Sequence, residues 1–281
     1  MTRRLVAALG WGLHVGATLL VGTVLVVILW DLARQGWPVL GWSFLTDVPT
    51  NGMTQGGIFP AVLGTVLVTL LTTVTAVPLG VACAVYLSEY GRPGPLTALV
   101  RAAIRNLSGI PSIIYGLFGL ALFAQALRLG TSLLAAGLTL GLLSLPYVIT
   151  TTEEALKAVP RGMREAALAL GATPFEVIRD VVLPTALPGI LTGVVLTVAR
   201  AAGETAPILF TGAAFYLNAL AVSPRGEFMA LPYHLYVLAT QHSDPVAVRP
   251  LAYGTALVLV ALVFVLNLAV VILRFRRSRA A

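Results

Sequence analysis

The sequence predicts an all-α membrane protein with about six transmembrane helices and both termini in the cytoplasm. Two patterns lead there: long apolar runs without charge, and a one-sided distribution of basic residues between them. Of the 281 residues, 58% are hydrophobic and only 10% are charged, against roughly 25% charged in an average soluble domain. Apolar runs longer than about 18 residues mark bilayer spans.

Six runs are free of Asp, Glu, Lys and Arg: Leu5 to Trp30, Ile58 to Ser88, Asn106 to Leu127, Leu129 to Thr152, Val181 to Ala199, and Leu251 to Leu273. The run from Ile58 would be about 46 Å long as a helix. That is too short for two spans, so it is expected to be one long helix disturbed at Pro78. A seventh uncharged stretch, Thr205 to Pro224, is interrupted by Pro207, Gly212 and Asn218. It reads as the end of the fifth helix followed by an external, re-entrant segment. The stretch from Phe228 to Ala239 is half apolar and is expected to lie along the membrane interface. The first run is too long for a signal-peptide core and lacks a small-x-small cleavage site.

The net charge of +7 does not require nucleic acid. Inner loops of membrane proteins collect Lys and Arg. With the N-terminus inside, 13 of the 18 basic residues fall on inner segments, four on outer ones, and Arg200 within a span. An odd number of spans would put the Arg-rich C-terminus outside. Trp30, Trp37 and Trp42 sit at the outer edge of the first span, where an aromatic belt is expected.

The longest inner loop has internal order. Pro160 to Gly171 reads as a short helix with Pro in its first turn and Gly as its stop. Met163, Ala166, Ala167 and Leu170 fall at i, i+3, i+4 and i+7, forming one apolar stripe. Thr173-Pro174-Phe175-Glu176 has the spacing of a capping box with Pro at the first helical position. The loop is thus a helix–turn–helix leading through Leu183-Pro184 into the fifth span. Its residues alone leave two readings open, an amphipathic connector or a docking helix that transmits a partner's motion.

Glu165-Ala166-Ala167, three residues, Gly171, nine residues, then Val181-Val182-Leu183-Pro184 resembles the EAA motif of bacterial ABC importer permeases. Val181 stands where Ile is usual. The resemblance implies a type I ABC importer permease fold in the bacterial cytoplasmic membrane. It also implies that Glu165, Ala166, Ala167 and Gly171 form a coupling helix fitting a cleft in an ATPase subunit. The implied division is a first transmembrane helix and external loop (1–55), a permease domain (56–275) with a coupling loop (153–183), and a basic tail (276–281). Lys157 is the only lysine, and no Gly-x4-Gly-Lys surrounds it. No catalytic site, cofactor or metal is therefore expected in this chain, and ATP–Mg is expected to be used by a separate ATPase.

Arg200 and Glu204 are the strongly ionisable residues placed within a span. A charge at the bilayer centre costs roughly 2.5–3.5 kcal/mol even on the lenient insertion scale. At i and i+4 the two can pair. They are read either as a structural ion pair or as a gate or contact on an anion pathway, since an Arg can hold an oxyanion by paired hydrogen bonds. Around them, Leu183 to Gly193 and Ala199 to Phe210 resemble the phosphate-specific (Pst) importer permeases, as does Gly109 to Gly119. The segment around Leu231-Pro232-Tyr233-His234 is more similar to their A-type subunit than to the C-type. This resemblance implies inorganic phosphate as cargo. It implies as partners a C-type second permease, two ATPase subunits and an external phosphate-binding protein.

Other readings stay open on the residues themselves. Sulfate, molybdate or tungstate could replace phosphate. An intramembrane enzyme would need a nucleophile or metal set beyond Arg200 and Glu204. An ATP-independent channel or carrier would leave the 153–183 loop unexplained. Asn106, Ser108, Ser112 and Tyr115 could line a polar path or serve helix packing. His14, His234 and His242 are expected to be interfacial or surface residues. The single Cys83 excludes an internal disulfide and a cysteine-cluster metal site.

Overall fold

The computed structural model describes residues 2–217 and 223–278. Its helices are α1 Thr2–Gly36, α2 Trp42–Thr46, α3 Phe59–Val85, α4 Pro95–Leu107, α5 Ser112–Gly119, α6 Leu133–Lys157, α7 Arg161–Ala169, α8 Pro174–Glu176, α9 Leu183–Gly203, α10 Ala206–Thr211, α11 Leu231–Thr240 and α12 Pro245–Ser278. Among the described residues five single helices are long and apolar enough to cross a membrane, and the count is six when the bent pair Pro95–Leu107 with Ser112–Ala126 is taken as one span. Helices dominate because hydrocarbon offers no partner for backbone N–H and C=O groups. Alternation of the spans puts both termini and the loop after α6 at one end, here the basic end. A short hairpin, β1 Pro49–Thr50 with β2 Gln55–Gly56, lies at the opposite end.

The packing centre is α3 against α6. Small residues set how closely they approach: a Cβ added at Gly137 would strike Leu71, and one at Gly141 would strike Thr75. Such residues let membrane helices come together without a hydrophobic driving force. Thr65, Thr72 and Thr75 return their hydroxyls to carbonyls of the preceding turn, satisfying themselves in a dry setting. As expected, α3 crosses Pro78 as a single helix. It then continues through a wide π-helical turn, Tyr86–Tyr90.

The third span differs from the sequence expectation. It begins at Ser112 rather than Asn106, because α4 and the following helix meet at 103°. Pro111 explains the break: it lacks an N–H, and it pushes the residue before it away from the helical region. Residues 95–107, read above as part of an inner loop, form the amphipathic helix α4. Ile104 is buried there while Leu96 and Leu99 are exposed. The fifth span starts early. Residues Pro174–Gly203 run on as one helical segment through a π-helical turn, Val177–Val182, placed just before Pro184. Such a bulge re-routes the hydrogen bonds that a helical proline disrupts.

The opposite end is closed by chain that the sequence reading laid along the interface. That reading is overturned: α11 is packed into the bundle, with Leu231, Tyr233, His234, Val237 and Leu238 buried. The reason is a close backbone approach. Gly64 of α3 lies directly against the Met229 carbonyl, and Leu231 N–H donates to Thr65 Oγ1 at 2.8 Å. Ser132, Leu133 and Leu134 at the start of α6 donate to Thr211, Gly226 and Pro224 carbonyls. Asn218 lies outside the described residues, as do 279–281 of the basic tail.

His234 is likewise no surface residue. It is 3% exposed, and burial pushes its imidazole down to about 4. His242 is exposed and sits 2.8 Å from the Gly52 carbonyl through Nε2. His14 is exposed beside the Gly10 carbonyl. A folded-state value below the unfolded 6.5 means that the unfolded chain binds more protons between those pH values. Stability contributed by neutral His234 is therefore full above pH 6.5 and is lost as pH falls towards about 4. Thermal unfolding in detergent between pH 7 and pH 4 is expected to show this slope, and His234→Leu is expected to flatten it.

Candidate functional site

Two regions gather the residues singled out in the sequence, one at the basic end and one inside the bundle. At the basic end, α7 follows Pro160 and stops at Gly171, whose φ of +89° favours glycine. The capping box of α8 is formed: Thr173 Oγ1 accepts from the Glu176 N–H, and the Glu176 carboxylate accepts from the Thr173 N–H at 2.7 Å. Glu165 and Ala166 are exposed, and Leu170 is 90% exposed. Met163, Leu168 and Phe175 add further exposed apolar surface.

The expected stripe is only partly outward. Ala167 is half-buried and packs against the core cluster that contains Leu87, Leu156 and Val177. It seats α7 on its own bundle, while Met163, Ala166 and Leu170 remain available. The 153–157 part of the expected loop is the last turn and a half of α6.

A residue pair that sequence reasoning missed anchors this loop. Arg164 donates to the Leu156 carbonyl at 2.9 Å and to the Val159 carbonyl at 2.6 Å. These carbonyls lie at and just beyond the end of α6, where intrahelical donors run out. The same guanidinium pairs with Glu89, in the turn that ends the second span, at 3.0 Å. Nearby, Glu153 stands 3.2 Å from Arg101 and 3.6 Å from Lys157. One cation thus ties α7 to two spans. Residues 89 and 164 are too distant in sequence for any periodicity rule to connect them.

Inside the bundle, Arg200 lies in the last turn of α9, where the helix dipole favours a cation. Glu204 follows the helix end, and its Oε1 is 3.0 Å from Arg200 Nε. The contact is an ion pair without hydrogen-bond alignment, since that Nε has no hydrogen-bond partner. The side chains are 36% and 16% exposed. The guanidinium carbon sits 4.4 Å from the centroid of the Tyr147 ring, a cation–π arrangement. The sequence reading did not single out Tyr147, because nothing in its spacing from Arg200 connects the two.

A cavity of about 470 Å³ adjoins the pair, lined by Ser144, Tyr147, Leu196, Thr197, Ala199 and Arg200. Two helix breaks contact its lining side chains. Tyr147 Oη donates to the Ser108 carbonyl at the α4–α5 break at 3.3 Å, and Glu204-Thr205 separates α9 from α10. Broken helices at mid-membrane leave backbone polarity where solutes pass. Tyr115 is buried and donates to Leu107 O at 2.9 Å, so it serves packing, while Asn106 is exposed.

The Arg164 anchor has a measurable consequence. Arg164→Met leaves Glu89 without its cation and the α6 carbonyls without donors. Each hydrogen bond to a charged group is worth about 1.5–3 kcal/mol. Hydrogen–deuterium exchange is expected to speed up in α7 and in the 86–90 turn, with the α3–α6 core unchanged.

Comparison with known proteins gives this arrangement its family. The family model described as "Binding-protein-dependent transport system inner membrane component" matches residues 76–279. The chain is 37% identical over 262 residues to the phosphate transport system permease protein PstA 1 of Mycobacterium tuberculosis, covering 91% of this chain and 83% of that protein. It is 30% identical over 280 residues to the probable ABC transporter permease protein YqgI of Bacillus subtilis, covering 96% and 95%. Among solved structures, an inward-facing form of the MetNI methionine ABC transporter matches with a TM-score of 0.57 at 22% identity, covering 79% of this chain and 94% of that one. A bacterial alginate ABC transporter matches with a TM-score of 0.58 at 13% identity, covering 92% and 95%. Those two show the fold, that of type I importer permeases. The chain belongs to the binding-protein-dependent transport system inner membrane components, the multi-pass permeases of ABC importers, with PstA-type proteins among its relatives.

Proposed function

We propose that this chain is the A-type permease subunit of an importer that moves inorganic phosphate across the bacterial cytoplasmic membrane. The observation that supports it most is Arg200, held between Glu204 and Tyr147 beside a cavity whose lining side chains contact two helix breaks. A guanidinium offers paired donors that match a tetrahedral oxyanion. Its paired state supplies a resting arrangement, so that no bare charge is left in the membrane between transport events. The names of relatives at 37–38% identity support phosphate as the cargo.

In this reading both termini and the 153–183 loop face the cytoplasm. The chain pairs with a C-type permease, two copies of an ATPase subunit and an external phosphate-binding protein. ATP with magnesium is hydrolysed by the partner subunits. Their closure pushes on the exposed face of α7, with Glu165, Ala166 and Gly171 contributing and Ala167 seating the helix. Arg164 and Glu89 pass that motion to the spans. The bundle then alternates between outward-open and inward-open states around the Arg200 cavity.

Two variants test these roles in vesicles carrying the complete complex. Arg200→Gln is expected to lower labelled-phosphate uptake at least about 100-fold, as for loss of a group that binds charge in a dry site, while the subunits still co-purify. Normal uptake would return the pair to a structural role. Leu170→Glu changes only an exposed side chain and is expected to release the ATPase or to leave its hydrolysis uncoupled from uptake. Full transport with a stable complex would sink the docking role of α7.

A further inference from the structure

The helix α4 has one side against the bundle and one side uncovered. Toward the bundle it buries Ile104. Arg101 on the same side donates to the Leu87 carbonyl at 2.7 Å and stands 3.2 Å from Glu153. Leu87 lies in the wide turn that ends the second span, and Glu153 lies near the end of α6. So α4 rests against the ends of two spans, and its 103° angle to the third lays it across that span rather than along it. The uncovered side is apolar. Leu96, Leu99, Val100, Ala103 and Leu107 fall at i, i+3, i+4, i+7 and i+11, and all are exposed. Tyr86 and Tyr90, exposed on the turn just before, mark the level where aromatic side chains meet the membrane–water boundary. From Gly91 to Leu127 the chain carries Arg92, Arg101 and Arg105 but no Asp or Glu. Arg92 and Arg105 are exposed. Among the described residues the ion pairs nearby take Glu89 for Arg164, and Glu153 for Arg101 and Lys157, leaving Arg92 and Arg105 without one. The small cavity between α4 and α6 that Arg105 lines keeps three cations against two carboxylates, Glu153 and Glu154.

We propose that α4 is a surface anchor that recognises anionic phospholipid. Its apolar stripe lies at the boundary of the acyl chains, and Arg92 and Arg105 draw negatively charged headgroups around it. A helix with an apolar face and a basic remainder binds a membrane surface by these two terms together, buried apolar area and attraction to anionic lipid. The position favours lipid over a protein partner. The spans before and after α4 in the chain also expose apolar side chains, Leu79 on one and Ile113 and Leu117 on the other. The uncompensated positive charge favours anionic over neutral lipid. The anchor bears on the elbow between α4 and the third span. Just past Leu107, the Ser108 carbonyl accepts the hydroxyl proton of Tyr147, the ring beneath Arg200. Lipid that seats α4 therefore fixes the backbone that holds this ring. The anchoring is independent of what the chain carries across the membrane.

The test uses the complete complex in nanodiscs of phosphatidylcholine and phosphatidylglycerol mixed in equal amounts. Leu99→Trp puts an indole in the middle of the stripe, and Leu96→Trp replaces it if that variant does not assemble. Fluorescence is read with bromine on the acyl chains of one lipid or of the other, and the unsubstituted chain gives the background of its own four tryptophans. Brominated phosphatidylglycerol is expected to quench the new indole at least about twofold more than brominated phosphatidylcholine. Arg92→Gln combined with Arg105→Gln is expected to make the two lipids equal while total quenching persists, since the apolar stripe is intact. Should that variant fail to assemble, salt decides instead: the preference is expected to fall as surface charges are screened. Equal quenching by the two lipids before any arginine is changed, or a preference indifferent to both arginines and salt, overturns the recognition of anionic lipid. Quenching by neither lipid means that protein covers this face, and it overturns the anchor altogether. None of these results bears on the cargo, which the uptake measurements test separately.

Discussion

The controlling constraint in this molecule is that hydrocarbon supplies no hydrogen bonds. Every backbone group and every charge within the bundle needs a partner from the protein itself. The α3–α6 centre meets this by returning threonine hydroxyls to carbonyls and by pressing glycines against neighbours. The constraint also makes each exception informative. The described spans are interrupted at Ser108–Pro111 and at Glu204–Thr205. Each interruption contacts a side chain that lines the Arg200 cavity, Ser108 through Tyr147 and Glu204 through Arg200, so broken backbone and intramembrane charge occur together. Irregular backbone is tolerated at depth only where protein or a polar cavity satisfies it.

A second constraint operates at the basic end, where in the proposed function a partner's motion is received. A loop that merely tethered two spans would need no fixed geometry. Here α7 is seated by Ala167, stopped by Gly171 and bolted by Arg164 to the end of α6 and to Glu89. The wide turns Tyr86–Tyr90 and Val177–Val182 adjoin this anchor on both sides. Such turns have looser hydrogen bonding than the α-helix and recur at functional positions. The rigid lever thus meets the spans through their most adaptable turns.

The two regions divide the work that the family's architecture demands. In the proposed function the exposed apolar side chains of α7 meet a partner, while the Arg200 cavity receives a solute. They are connected by α6, whose last turn ends at the Arg164 anchor and whose middle carries Ser144 and Tyr147. A shift of α6 along or about its axis would move the ring on which Arg200 rests. Packed helices have discrete arrangements rather than a continuum, so such a shift acts as a switch.

The sequence by itself determined a good deal. Apolar runs gave the spans, since length and hydrophobicity decide insertion without reference to neighbours. The α7–α8 loop was legible because caps and stops are local: Pro160, Gly171 and the Thr173–Glu176 box act within four residues. The Arg200–Glu204 contact was legible for the same reason, being one helical turn long. Tertiary structure alone decided the rest. It broke the chain before Pro111, setting α4 apart from the third span, and it drew α11 into the bundle beside the Gly64 approach, burying His234 where composition suggested an interface. It also placed Tyr147 under Arg200 and Glu89 beside Arg164. Those contacts join residues tens of positions apart, and their partners are chosen by how helices pack, which no local periodicity encodes.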